Sequence, residues 1–183
     1  MLAPLEPPYP PDVARFLEKW MPPGFDAPPL ALFRLFAVHQ ELCDRVRPMA
    51  SGLLNHGLLP AADRELLILR TTAALGAEYE WGIHAVVQAP AAGVGEAALH
   101  ATVHGSPDDF DDPPLIRAAD ELLAGSLTAA TVTALARTPE QIIEIVLVVG
   151  WYRTLSTLIR TADLALEEWA ARFPRPVGPR MAR

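Results

Sequence analysis

The stretch that most constrains this chain is Arg64–Val87, RELLILRTTAALGAEYEWGIHAVV, which reads as two helices hinged on one glycine. In Arg64–Leu75 the residues Leu66, Leu67, Ile68, Leu69, Ala73 and Ala74 recur at the spacing of an apolar helical face. Gly76 follows, where a glycine takes the left-handed position that ends a helix. A second helix begins near Glu78 and carries Glu80 and His84, four residues apart and so on one face. Trp81, Ile83, Val86 and Val87 surround them with apolar groups and predict a packed helix. Burial and mutual charge would then shift both pKa values, which marks the pair as a candidate site. The bland alternative is a solvated i,i+4 pair, worth only about 0.2–0.5 kcal/mol.

The rest of the chain reads as helices punctuated by proline and glycine, with no useful run of period-two alternation, so the expected fold class is all-α. Residues 1–28 read as a proline-rich N-terminal segment, in which residues 3–11 are expected as an extended arm laid over another subunit and Asp12 to Trp20 as one short helix. Prolines at 22, 23, 28 and 29 break that helix, and Leu30–Val46 is expected as one amphipathic helix with His39 and Cys43 on its core face. Pro48–His56 is expected as a separate helix. Further helices are expected over Glu96–Val103, Leu115–Leu123 and Thr128–Ala136, the second of them capped by an aspartate of the acidic loop Gly105–Pro114. Thr138-Pro139-Glu140-Gln141 has the form of a capping box with proline in the first turn, and opens a helix expected to reach about Trp169, with a kink near Gly150. Its first part, Ile142–Val149, is apolar all round and so should be covered on every side, by its own core or by a neighbouring subunit. Glu144, the one charge inside it, should pair with an arginine such as Arg70 or Arg153. Residues 29–172 are read as one helical domain and 173–183 as a solvated basic tail.

Composition excludes several functions. A formal net charge of -7 argues against a nucleic-acid partner. The single cysteine, Cys43, permits neither an intrachain disulfide nor dithiol chemistry. The start of the chain lacks the pattern of a signal peptide, and Ile142–Val149 is much shorter than a membrane span, so a cytoplasmic protein without membrane contact is expected.

The motif Ala74-Leu75-Gly76-Ala77-Glu78-Tyr79-Glu80-Trp81-Gly82-Ile83-His84 resembles the decarboxylase branch of the carboxymuconolactone decarboxylase / alkyl hydroperoxidase D-like superfamily, with Trp81 where that branch has leucine. The resemblance implies an orthogonal helical bundle that assembles as a homo-oligomer, a trimer or a hexamer. Aligning the family histidine on His84 places the family glutamate on Glu65. The two positions of the redox-active cysteines fall on Ala77 and Glu80, so peroxidase and disulfide-reductase activity is rejected. What the resemblance then implies is a cofactor-independent decarboxylation or isomerisation of a small carboxylate or lactone. His84, Glu80 and Glu65 would be its catalytic residues, with His84 as proton donor and Glu80 setting its tautomer or acting as base. Trp81, Tyr79, Arg70 and Tyr152 are the substrate-binding candidates, with Arg153 a second choice for holding a carboxylate. The competing readings are a non-catalytic binding or assembly protein, and a metal site built from Glu65, Glu80 and His84. Two carboxylates with one histidine make a weak zinc set, and no metal is expected.

Overall fold

The computed structural model describes residues 2–21 and 27–176. The prolines at 22 and 23 and the arginines at 180 and 183 lie outside the described residues. Among the described residues there are α-helices and short 3-10 turns and no strand. The helices are α1 (Pro11–Trp20), α2 (Ala31–Phe36), α3 (Gln40–Asn55), α4 (Ala61–Ala74), α5 (Glu78–Val87), α6 (Glu96–His104), α7 (Pro113–Ala124), α8 (Ala129–Leu135) and α9 (Pro139–Thr161). The fold is all-α.

Helix α4 is the hub, in contact with α5, α6, α7 and α9. Its residues Glu65, Leu67, Ile68, Leu69 and Thr72 are all wholly buried, because neighbours on several sides leave it no solvent face there. It ends as the sequence predicts. Gly76 sits at φ +65, the Gly76 amide donates to Ala73 O and the Ala77 amide to Thr72 O. That is the Schellman arrangement, and it turns the chain directly into α5. α9 opens with the expected capping box, in which the Thr138 hydroxyl accepts from the Gln141 amide while the Gln141 side chain accepts from the Thr138 amide. Asp112 caps α7 through the Leu115 amide.

Several expectations are corrected. The predicted Leu30–Val46 helix is broken at Ala37–His39 by a 3-10 turn, after which His39 leaves helical geometry at φ -133, ψ 65. Phe33 and Phe36 pack on Trp20 from α1 and so anchor α2 in its own direction. His39 is exposed, not a core histidine. Conversely, α3 runs through Pro48 instead of restarting there; proline removes one donor and bends a helix without necessarily ending it. The N-terminal arm lies on its own chain, with the Leu5 amide on Arg34 O and Arg34 donating to Leu5 O and Glu6. Glu144 pairs with no arginine, and instead its carboxylate accepts from the amides of Leu58 and Leu59.

Helix α9 continues through Gly150 but stops at Thr161, short of Trp169. Asp163 takes a positive φ of 48 and the chain turns back as a strap across α5. Glu167 draws it there by accepting from the Ala31 amide and the Tyr79 hydroxyl, and the Ala171 amide donates to Gly82 O. The tail is held as far as it is described, since the carbonyls of Pro174 and Arg175 meet the rings of His104 and His100. Helix α9 has 23 residues and contains an 18-residue window of mean hydropathy 1.6, long and apolar enough to cross a membrane by length and composition, a test that the core helix of a globular protein also passes. It packs here against α3, α4, α5 and α7.

Candidate functional site

Glu65 comes from α4, Glu80 and His84 from α5, and Tyr152 from α9. All four are buried, with Glu65 wholly so. The Schellman turn at Gly76 folds α5 against α4 and sets His84 Nδ1 2.7 Å from Glu65 Oε2. The other oxygen of Glu65 lies 3.3 Å from Arg64 Nε. His84 Nε2 is 3.1 Å from the Tyr152 hydroxyl and 3.6 Å from Glu80 Oε1. The rings of His84 and Tyr152 meet edge to face at 87°. Charges of alternating sign thus run Arg64, Glu65, His84, Glu80, and all of these side chains but that of Arg64 are buried.

Burial by itself would lower the pKa of His84, but the hydrogen bonds and charges of Glu65 and Glu80 outweigh it and raise it to about 9. His84 is therefore an imidazolium at neutral pH. Burial, then the charges of Glu80 and Glu65, push the Tyr152 hydroxyl well above its ordinary value, so it stays protonated. With Nδ1–H donating to Glu65 and Nε2–H donating to the Tyr152 oxygen, the tyrosine keeps its own hydrogen to donate onward.

His84, Glu80 and Tyr152 line a cavity of about 490 Å³. Glu65 stands behind His84 and outside the wall, so it orients the ring at Nδ1, the place the sequence reading had offered to Glu80. Most of the remaining wall is apolar, with Trp20, Leu32, Phe33 and Phe36 from α1 and α2, Leu54 from α3, Ile83 from α5, and Trp151 and Leu155 from α9. Trp169 of the strap completes it.

Three of the four expected substrate-binding residues are placed elsewhere. Trp81 lies in a second apolar cluster, its indole N–H on Thr102 and its ring against Phe173. The Tyr79 hydroxyl donates to Glu167 and accepts from the Leu32 amide, which ties α2 and the strap to α5. Arg70 is clamped by both carboxylate oxygens of Asp120 and by the carbonyls of Thr102 and Gly105. Arg153, the second choice, is exposed and donates to Leu123 O. Only Tyr152 stands in the wall. Arg47, which the sequence reading did not single out, also lines the cavity.

The ring of His84 separates the two carboxylates, one at Nδ1 and one near Nε2, so the three groups do not converge on one point. Among the described residues no group of three or more His, Cys, Asp or Glu side chains is arranged to hold a metal ion. Cys43 is half-buried on α3 and outside the cavity wall, with its pKa raised by burial and by Asp44, which keeps it a thiol.

Residues 40–122 match the model of the Carboxymuconolactone decarboxylase family. The match is consistent with the carboxymuconolactone decarboxylase / alkyl hydroperoxidase D-like superfamily over that segment. Among curated proteins none matches the chain. The decarboxylase-family segment begins at the first residue of α3 and reaches into α7, so it contributes Arg47, Glu65, Glu80 and His84. Tyr152, the strap and the aromatic walls from α1 and α2 lie outside the matched segment, and they close this domain's cavity.

Proposed function

We propose that this decarboxylase-family protein is a cofactor-independent acid–base catalyst that decarboxylates or isomerises a small carboxylate or lactone in the His84 cavity. The observation that carries the reading is the chain Glu65–His84–Tyr152, which leads a buried carboxylate through an imidazolium to a hydroxyl at the cavity wall. In decarboxylation the bond between carbon and the departing CO2 breaks and its electron pair passes into an enolate. The positive ring of His84 and the hydroxyl of Tyr152 are placed to stabilise that anion and to deliver the proton to carbon. Water then restores the proton to the site. In isomerisation Glu80, within reach of His84 Nε2, removes a proton from one carbon and His84 returns one to another. Glu65 keeps Nδ1 protonated and the ring aligned throughout, as a buried carboxylate does in other histidine relays.

The test incubates the protein with a panel of lactones and keto acids in D2O and follows CO2 release and deuterium incorporation by NMR. Turnover should fall by about 10²–10⁴-fold in His84→Gln, the usual worth of a positioned acid or base. Unchanged turnover in His84→Gln would sink the proposal. One observation favours a second reading, a binding protein without turnover: both ring nitrogens of His84 already have partners. Tight binding of panel members by wild type with neither CO2 release nor deuterium incorporation would select that reading.

A further inference from the structure

The cavity wall contains a cation that no carboxylate among the described residues neutralises. Five arginines of the described residues are half-buried: Arg34, Arg47, Arg64, Arg70 and Arg137. Four of them are paired with carboxylates, Arg34 with Glu6, Arg64 with Glu65, Arg70 with Asp120, and Arg137 with both Asp63 and Asp112. Arg47 alone has no carboxylate or carbonyl partner among the described residues, and it lines the His84 cavity. A partly desolvated guanidinium without an anion is unfavourable, and its planar fork of donors matches a carboxylate in a two-point contact.

We propose that Arg47 holds the acid group of the ligand and that the ligand is a monocarboxylate with a large apolar, aromatic or alicyclic body. This deepens the function proposed above and rests on it only in taking the His84 cavity as the ligand site. The charged groups of the wall are Glu18, Lys19, Arg47, Glu80 and His84. Lys19 lies 3.6 Å from Asp44, Glu80 faces His84, and Glu18 is exposed on α1. Among the described residues of the wall Arg47 is therefore the one half-buried cation without an acidic partner, and a second carboxylate would meet Glu18, Glu80, an apolar wall or the exposed Lys19 that Asp44 already faces. That wall presents the aromatic rings of Trp20, Phe33, Phe36, Trp151 and Trp169. A cavity of about 490 Å³ falls in the range that encloses drug-sized apolar ligands. Because Arg47 stands on α3 and His84 on α5, an acid held by its carboxylate at Arg47 is fixed in orientation before any proton moves at His84.

Calorimetric titration of the full chain tests this with three probes: 2-naphthoate, the neutral 2-naphthylmethanol, and the small diacid muconate. Naphthoate should bind wild type more tightly than muconate does, and Arg47→Ala and Arg47→Gln should each weaken it by roughly tenfold or more, the worth of a charged hydrogen-bonded pair. Naphthylmethanol should bind both variants as it binds wild type, which also shows that the variants keep the cavity. Naphthoate binding that is undetectable at millimolar concentration, equal in the Arg47 variants, or weaker than muconate binding overturns the proposal. Binding and turnover by wild type separate the two proposals: if naphthoate binding depends on Arg47 while no panel compound is turned over, the catalytic reading fails and the assignment of Arg47 stands.

Discussion

His84 owes its charge to its position between two carboxylates that burial prevents water from screening. Its pKa in the folded chain, about 9, lies above the ordinary value of 6.5. The group therefore contributes stability that is complete below about pH 6.5 and is lost as pH rises through about 9. Histidine-ring NMR should show a charged imidazole at neutral pH that titrates near 9, and Glu65→Gln should move that titration downward. A ring that titrates at or below 6.5 would contradict the arrangement. Activity that depends on His84 as an acid should decline over the same alkaline range. The Glu80–His84 pair was legible at this scale because helical spacing is local and both residues lie on one element. The hydrogen bond from Nδ1 to Glu65 crosses between α4 and α5, and nothing in the spacing of one helix encodes it; only the resemblance to the superfamily, through its hydroperoxidase-branch pattern, pointed to Glu65.

At the scale of elements, α5 is gripped from three sides: by α4, by α9, and by the strap that follows α9. The strap can lie so close because Gly82 has no side chain; a Cβ there would collide with the backbone carbonyl of Ala171. Gly82→Ala is expected to lift the strap, breaking the contact of the Ala171 amide with Gly82 O and that of the Phe173 amide with Glu78. A loss of about 1–3 kcal/mol in stability should accompany it, as overpacking at a tight contact costs. Thermal melts read the loss, and trypsin reads the strap through faster cleavage at Arg172. Unaltered cleavage would show that the strap does not depend on this approach. Sequence reasoning missed the strap because the residues up to about Trp169 were read as the end of the last helix and 173–183 as a solvated basic tail. Its docking comes instead from single hydrogen bonds to distant residues, such as Glu167 to Ala31.

For the whole molecule, the apolar run of α9 remains only half covered. Ile143, Val146 and Leu147 are 60%, 41% and 46% exposed, and Leu58, whose carbonyl accepts from Gln141 at the start of α9, is 63% exposed. An apolar stripe of this kind on a single chain marks a contact surface, and a homo-oligomer is the occupant proposed for it. Val146→Glu combined with Leu147→Glu should shift the species seen by sedimentation velocity toward monomer, leaving the helical circular dichroism intact. An assembly that is unaltered by the pair of charges, or a wild-type chain that is already monomeric, would remove that proposal.

By itself the sequence determined the all-α class, the Gly76 junction, the capping box at Thr138 and the placing of Glu80 and His84 on one helical face. These follow from backbone sterics, capping chemistry and helical period, which act over a few residues. Tertiary structure alone decided that Arg70 is engaged by Asp120 while Arg47 has no acidic partner among the described residues, that Glu144 caps the Leu58–Leu59 turn, and that Tyr152 meets His84. Each of those contacts joins residues far apart in the chain, and which partner an ionisable group finds depends on how the helices pack, a property that no local pattern carries.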